Sequence, residues 1–220
     1  MAGRILVINP NSSGDVTDRM SDALEGLRFA DGPVIDCATL AEGPPGIETD
    51  CHIADVVAPI VTTVEREQNR TDAFVIACFS DPGLHAAREV SRVPVYGIAQ
   101  CGYAAAIAVG ERFGVISILS RSLPRHRRHI GSLGLLDKLA GDLAIDMGVT
   151  ELAQKDKVLD RMTAVGSKLR KDHGADVLVM GCAGMAQYRR LLEQRVGIPV
   201  IEPTQSATSV ALNAVQAAHA

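Results

Sequence analysis

The chain has 220 residues, 47% of them hydrophobic and 22% charged, enough apolar material to bury a core and too much for a disordered chain. Its net charge of −4 excludes the basic surface of a nucleic-acid binder, and no apolar run approaches the ~20 residues of a membrane helix. Aromatic residues make up only 3% while Ala, Val, Leu and Ile dominate, which favours buried parallel strands under helices, in one large domain or two lobes of about 100 residues.

Met1-Ala2-Gly3-Arg4 leads into a strand pattern with no apolar leader, so the expected location is cytoplasmic. Arg4 to Ile8 is that strand, and Asn9-Pro10-Asn11-Ser12-Ser13-Gly14 is a loop dense in turn and cap residues. Val16 to Leu27 predicts a helix with Met20, Ala23, Leu24 and Leu27 on one face. Val34 to Ala38 is a second strand, Glu42 to Glu48 a Gly/Pro-rich loop, and Ile53 to Glu67 carries helical periodicity. A third strand, Ala73 to Cys78, is followed by the loop Phe79-Ser80-Asp81-Pro82-Gly83, a helix from Leu84 to Val90 and a fourth strand at Pro94 to Tyr96.

The second half starts again. Ala104 to Val109 belongs to an Ala-rich helix, and Phe113 to Leu119 is a strand ending in Ser120-Arg121-Ser122. Pro124 to Leu139 predicts a helix, Ile145 to Met147 a short strand, and Lys155 to Lys171 an amphipathic helix. The strand to Cys182 follows, then a helix from Met185 to Arg195, a strand at Val200-Ile201 and a last helix from Thr204 to Ala218. Alternation at this spacing predicts βαβ units and parallel sheets.

The halves repeat. Each of the runs ending in Cys78 and Cys182 is followed by a helix, then by Val93-Pro94-Val95 or Ile198-Pro199-Val200, then by Gln100 or Gln205. Similar offsets near half the chain length predict two similar α/β lobes of Rossmann-like type related by a pseudo-twofold, with the site in the cleft between them. The expected division is 1–97 with 206–220 in the N-terminal lobe and 98–205 in the C-terminal lobe. Five widely spaced cysteines with no C-x-x-C make neither a disulfide framework nor a zinc knuckle, so free thiols are expected. Cys37 and Cys51 read as structural, and Cys101 is ambiguous. Cys78 and Cys182 differ because they stand at strand C-termini, where open α/β sheets place their ligands.

Several chemistries are absent from the sequence. The first loop is not G-x-G-x-x-G, and there is no P-loop, H-E-x-x-H or G-x-S-x-G. His126 and His129 are spaced i,i+3 but stand among Arg125, Arg127 and Arg128, a basic run that reads as a solvated face or an anion contact, not a metal site. No metal or cofactor is expected. Asn9-Pro10-Asn11-Ser12-Ser13, Cys78-Phe79-Ser80-Asp81-Pro82-Gly83-Leu84 and Gly181-Cys182-Ala183-Gly184-Met185, in that order, resemble the Asp/Glu/hydantoin racemase superfamily, and most of all its hydantoin and allantoin racemases. The resemblance spans essentially the whole chain. It implies a two-lobed α/β fold, cofactor-independent racemisation of a small molecule by a cysteine pair, and a homo-oligomer (dimer, tetramer or hexamer); the pair falls on Cys78 and Cys182.

Beside that resemblance, the chemistry is direct. Two acid/base groups on opposite faces of one carbon can remove a proton from one side and return it to the other. The C5 proton of a 5-substituted hydantoin is acidified by its neighbouring carbonyl, and one thiolate and one thiol serve both directions. Helix N-termini after both cysteines are expected to lower a thiol toward thiolate. Backbone N–H groups of Phe79, Ser80, Asp81, Ala183 and Gly184 are candidates for the developing oxyanion. Asn11, Ser12 and Ser13 are candidates for ring contacts, or simply a helix N-cap, and Asp81 is read first as a cap for the helix that follows it, held by Pro82. Ser120, Arg121 and Ser122, their second-half counterparts, are further candidates, Arg121 for an anionic group.

The sequence also departs from the family. Gly97-Ile98-Ala99-Gln100-Cys101-Gly102 stands where hydantoin racemases typically read Gly-Ile-x-Glu-Ala, which makes Gln100 a candidate substrate contact, and Ser80 stands where Gly is common. These changes bear on the substrate rather than on the cysteine chemistry. The alternatives are an Asp or Glu racemase, a cysteine-dependent decarboxylase or isomerase of a small dicarboxylate, and a non-catalytic binding protein on the same scaffold.

Overall fold

Unbroken aliphatic and β-branched runs form the strands. In the computed structural model, β1 (Arg4–Asn9), β2 (Val34–Thr39), β3 (Ala73–Ile76) and β4 (Val95–Gly97) pair in parallel in the order β2-β1-β3-β4. Then β5 (Phe113–Ser117), β6 (Leu139–Ala144), β7 (Val177–Met180) and β8 (Val200–Ile201) repeat that order as β6-β5-β7-β8, again all parallel. The structure describes residues 3–219; Met1, Ala2 and Ala220, which the leader reading and the expected first lobe include, lie outside the described residues. β3, β5 and β7 are buried along their whole length, as parallel strands covered on both faces must be.

The connections are α1 (Gly14–Ala23), α2 (Asp50–Asp55), α3 (Val57–Glu67), α4 (Leu84–Val90), α5 (Ile98–Val109), α6 (Leu123–Ser132), α7 (Lys155–His173), α8 (Arg189–Val196) and α9 (Pro203–His219). α5 and α9 lie between the two sheets. Their Ile98, Tyr103, Ala106, Ala207 and Ala211 share one apolar cluster with Val7 and Val75 of the first sheet and Val115 and Val179 of the second. Small residues allow that approach: a Cβ added at Gly102 of α5 would lie 2.9 Å from Cβ of Pro203 at the start of α9. The outer faces carry separate clusters, Ile60, Phe74 and Leu84 on one side and Met162, Leu178 and Leu192 on the other. Two parallel four-stranded sheets with helices are the α/β architecture expected from the alternation.

Local departures have physical causes. The helix expected over 124–139 stops at Ser132, where Gly134 takes a φ of +72°, and Leu139–Ala144 forms the edge strand β6. That strand is half-buried throughout and lacks an alternating pattern, so it carries no period-two signal. The strand expected at 145–147 is instead the loop after β6. There Asp146 turns the chain with a φ of +49°, while the N–H groups of Ile145 and Met147 still donate to the carbonyls of Ser117 and Ile118. The long helix over 53–67 is broken at Val56, and the helix at 185–195 opens as a 3-10 segment, Ala183–Tyr188, before α8. Cys51, read as structural, is exposed on α2.

Candidate active site

Both cysteines are released from their sheets in the same way. After β3, the N–H of Ala77 makes one more ladder bond, 2.8 Å to the carbonyl of Ile8, and the next residue is Cys78. After β7, the N–H of Gly181 does the same to Ile116 at 2.8 Å, and the next residue is Cys182. Each thiol therefore stands just beyond the carboxyl edge of a central strand, one in each half. They meet: Cys78 and Cys182 line a single cavity of about 30 Å³, room for about two water molecules.

The loops that follow bend tightly over the cavity. The N–H groups of Ser80 and Asp81 both donate to the carbonyl of Cys78, and Asp81 adopts the left-handed region with a φ of +45°. The N–H of Met185 donates to the carbonyl of Cys182 and opens the 3-10 segment. Phe79, Ser80, Ala183 and Gly184 line the cavity, as does Asn11. Asn11 Oδ1 accepts from Asn9 Nδ2 and the Ser13 N–H. Its amide NH2 makes no hydrogen bond among the described residues.

Other candidates lie elsewhere. Ser13 is the N-cap of α1, accepting from the Val16 N–H, and Ser12 donates its N–H to the carbonyl of Pro44. The Asp81 carboxylate caps α5 and not, as expected, the helix that follows it: it accepts from the N–H groups of Ala99 and Gln100 at 2.8 Å each, while α4 starts after Gly83 with no side-chain cap. Gln100 accepts from Arg88, Ser120 is bound to Asp146 at the surface, and Arg121 is exposed. None of these six lines the cavity.

Ser122 alone of the second-half counterparts lines it, together with two side chains that the motifs do not mark, Arg125 and His126. The solvated-face reading of the basic run fails for His126, which is 3% exposed. Its sequence signal is the i,i+4 spacing to the buried Ile130, which places both on the inner face of α6. Arg125 spans the cleft: its Nε donates to Ser80 Oγ at 2.9 Å, and its other nitrogens reach Ser122 and Asp50. Arg128 also reaches Asp50, and the Val149 N–H donates to Glu48, so the cleft is closed by polar contacts between segments of the two halves.

Electrostatics in the cavity oppose thiolates. Burial, and next the charge of Cys182, push Cys78 up to about 12, against the lowering pull of Arg125 and the Ser80 N–H. Burial pushes Cys182 up to about 11, opposed by the Gly184 N–H. The expected lowering by helix N-termini is outweighed for a structural reason. The five-residue loop 79–83 separates Cys78 from α4, and the segment after Cys182 is a short 3-10 turn with little dipole.

Gly181 fixes how β7 presents its thiol. A Cβ there would lie 2.7 Å from the carbonyl oxygen of Ile116 and 3.1 Å from Cα of Ser117, both backbone atoms that cannot step aside. Gly181→Ala is therefore expected to prise β7 from β5, lowering stability by about 1–3 kcal/mol, the range for overpacking. It should also displace Cys182. Urea denaturation together with alkylation of Cys182 checks this; unchanged stability and thiol reactivity would show that the strand end is not tightly held.

The chain matches the Asp/Glu/Hydantoin racemase family over residues 5–211. It is 35% identical to a hydantoin racemase from Paenarthrobacter aurescens over 94% of this chain and 89% of that protein. A hydantoin racemase from Rhizobium meliloti is 33% identical, with 94% and 86% covered. The structure of an allantoin racemase from Klebsiella pneumoniae superposes with a TM-score of 0.89 at 30% identity, covering 98% of this chain and 89% of that one.

Proposed function

The chain belongs to the Asp/Glu/hydantoin racemase family, and from that membership we propose that it is an isomerase that racemises a 5-substituted hydantoin, of hydantoin or allantoin type, by passing protons between Cys78 and Cys182. The observation that carries the reading is the pair itself: two thiols, each one residue beyond the last ladder bond of a central strand, lining one cavity. A planar enolate held between them can be protonated on either face. The carbonyl oxygen that takes up the charge finds donors in the backbone N–H groups of Phe79 and Ala183, since those of Ser80 and Asp81 are taken by the Cys78 carbonyl, and Asn11 Nδ2 serves a ring carbonyl. A cavity of this size admits no ring while closed, so the contacts of Arg125, Arg128 and Val149 across the cleft part to admit substrate.

Among the residues lining the cavity, Arg125 favours an anionic substrate such as an amino acid or a dicarboxylate. Its guanidinium is already engaged by Ser80, Ser122 and Asp50, and Arg121, the other candidate partner for a carboxylate, is exposed away from the cavity. The hydantoin reading is therefore preferred. It needs no resident cofactor. The reading includes lobes of 1–97 with 206–220 and of 98–205, a cytoplasmic location and a homo-oligomer, the last open to light scattering. No helix among the described residues is long and apolar enough to cross a membrane.

Deuterium incorporation from heavy water tests the reaction. Allantoin, alkyl- and aryl-hydantoins, aspartate and glutamate are incubated separately and followed by mass spectrometry and chiral chromatography. Exchange at C5 of at least one hydantoin, together with its racemisation, is the expected result. Exchange confined to aspartate or glutamate would overturn the substrate assignment.

A further inference from the structure

Behind the cavity, side chains from two strands converge on His126. Its Nδ1 lies 3.0 Å from Oδ2 of Asp142 on β6 and 3.0 Å from Oγ of Ser117 at the end of β5. The Ser117 hydroxyl in turn donates to the other carboxylate oxygen of Asp142. A carboxylate only accepts hydrogen bonds, so Nδ1 carries the hydrogen and Nε2 is left with a bare lone pair. Nε2 makes no hydrogen bond among the described residues. The ring lines the cavity, and Phe79, the neighbour of Cys78, packs edge-on against it with centroids 5.3 Å apart.

This arrangement has no role in the two-thiol scheme as it stands, yet it supplies what that scheme lacks. A buried thiol becomes a base only if its proton has somewhere to go and its charge has a partner. Of the other polar side chains lining the cavity, Asn11, Ser80 and Ser122 do not titrate and Arg125 stays protonated. Imidazole is the side chain that exchanges a proton near neutrality.

We propose that His126 takes the proton of Cys78, so that the resting site holds a thiolate facing an imidazolium braced by Asp142 and Ser117. The inference rests on the two-thiol reading and deepens it. In this step the S–H bond of Cys78 breaks with its electron pair left on sulfur, and an N–H bond forms at Nε2, directly or through one cavity water. The new cation is matched by the Asp142 carboxylate, and no proton enters or leaves the protein. Cys78 is the partner because its loop carries Phe79 onto the ring and because Arg125 favours a negative charge at that thiol. The charged and titratable groups facing His126 are Asp142 from β6, Arg125 and His129 from its own helix, and the two thiols across the cavity. His126 is thus a positioning and activating residue, acting through Cys78.

The test needs no substrate. Iodoacetamide alkylation of the intact protein is followed against pH by peptide mass spectrometry, with the exposed Cys51 as an internal reference. Thiolate absorbance is recorded in parallel. In His126→Gln the Cys78 profile should lie about two pH units above that of the wild type, an about 100-fold slower reaction at pH 7. Asp142→Asn should move it in the same direction by less, and it serves if His126→Gln does not fold. An unchanged Cys78 profile in folded His126→Gln or Asp142→Asn overturns the proposal, as does a change confined to Cys182. Because alkylation is read without turnover, failure of the hydantoin assay leaves the role of His126 standing, and the reverse holds too.

Discussion

Cys78→Ser and Cys182→Ser should each lower racemisation by about a thousandfold, within the range for losing a positioned acid or base, while each variant still exchanges the C5 proton of one enantiomer. The reason is geometric. The two thiols approach from the ends of β3 and β7, and they line one cavity from opposite halves of the molecule. A ring lying between them shows its C5–H to one thiol in one enantiomer and to the other thiol in its mirror image. With one thiol replaced by a hydroxyl, too weak an acid and base for the task, the surviving thiol can still remove a proton from the face it meets. Solvent deuterium then returns on that same face, giving exchange without inversion. Each pure enantiomer is incubated with each variant in heavy water and read by mass spectrometry and chiral chromatography. The variants should show opposite preferences. If both exchanged the same enantiomer, one base would be serving both directions; if either racemised at the wild-type rate, its cysteine would be irrelevant.

The strands that deliver the thiols are legible because their composition leaves little choice. Ala73-Phe74-Val75-Ile76 and Val177-Leu178-Val179-Met180 are continuous apolar runs, each preceded by an aspartate, and the 104-residue offset of the cysteines after them matches the strand order the two sheets share. The family follows from motifs standing next to these strand ends, where the chain has least freedom. β6 is not legible, because a half-buried edge strand reads as neither period. Nor is the Asp142–His126 pair, since these residues stand 16 apart on elements whose boundary the residue pattern does not mark, and an isolated His among arginines looks like surface. Asp81 shows a third limit: cap and ligand roles call for the same residue type, and only the direction of its carboxylate, toward α5, separates them.

A second capping carboxylate leads to a pH-dependence of stability. Glu202 is buried at the start of α9, where it accepts from the N–H groups of Thr204 and Gln205 at 3.1 and 2.6 Å. Burial outweighs those bonds and pushes it from 4.5 to about 7. A carboxyl raised on folding holds a proton in the native state that the unfolded chain has released. Its contribution is therefore fully present below about pH 4.5 and is lost as pH rises through about 7, a fall of roughly 3 kcal/mol. Asp81 is raised in the same way, from 3.8 to about 7 by burial, but it has a compensating neighbour. His129 Nε2 lies 3.7 Å from Asp81 Oδ2, and burial lowers His129 from 6.5 to about 4. Between about pH 4 and 6.5 the folded pair holds one proton, on Asp81, and the unfolded pair also holds one, on His129, so their slopes cancel. Carboxylates held low, such as Glu67 at about 2 beside Arg70, act below this window. Urea midpoints measured from pH 4.5 to 7 should accordingly decline in the wild type, stay nearly level in Glu202→Gln, and decline more steeply in His129→Gln, where Asp81 has lost its counterweight. A Glu202→Gln protein that kept the wild-type slope would place the titrating group elsewhere.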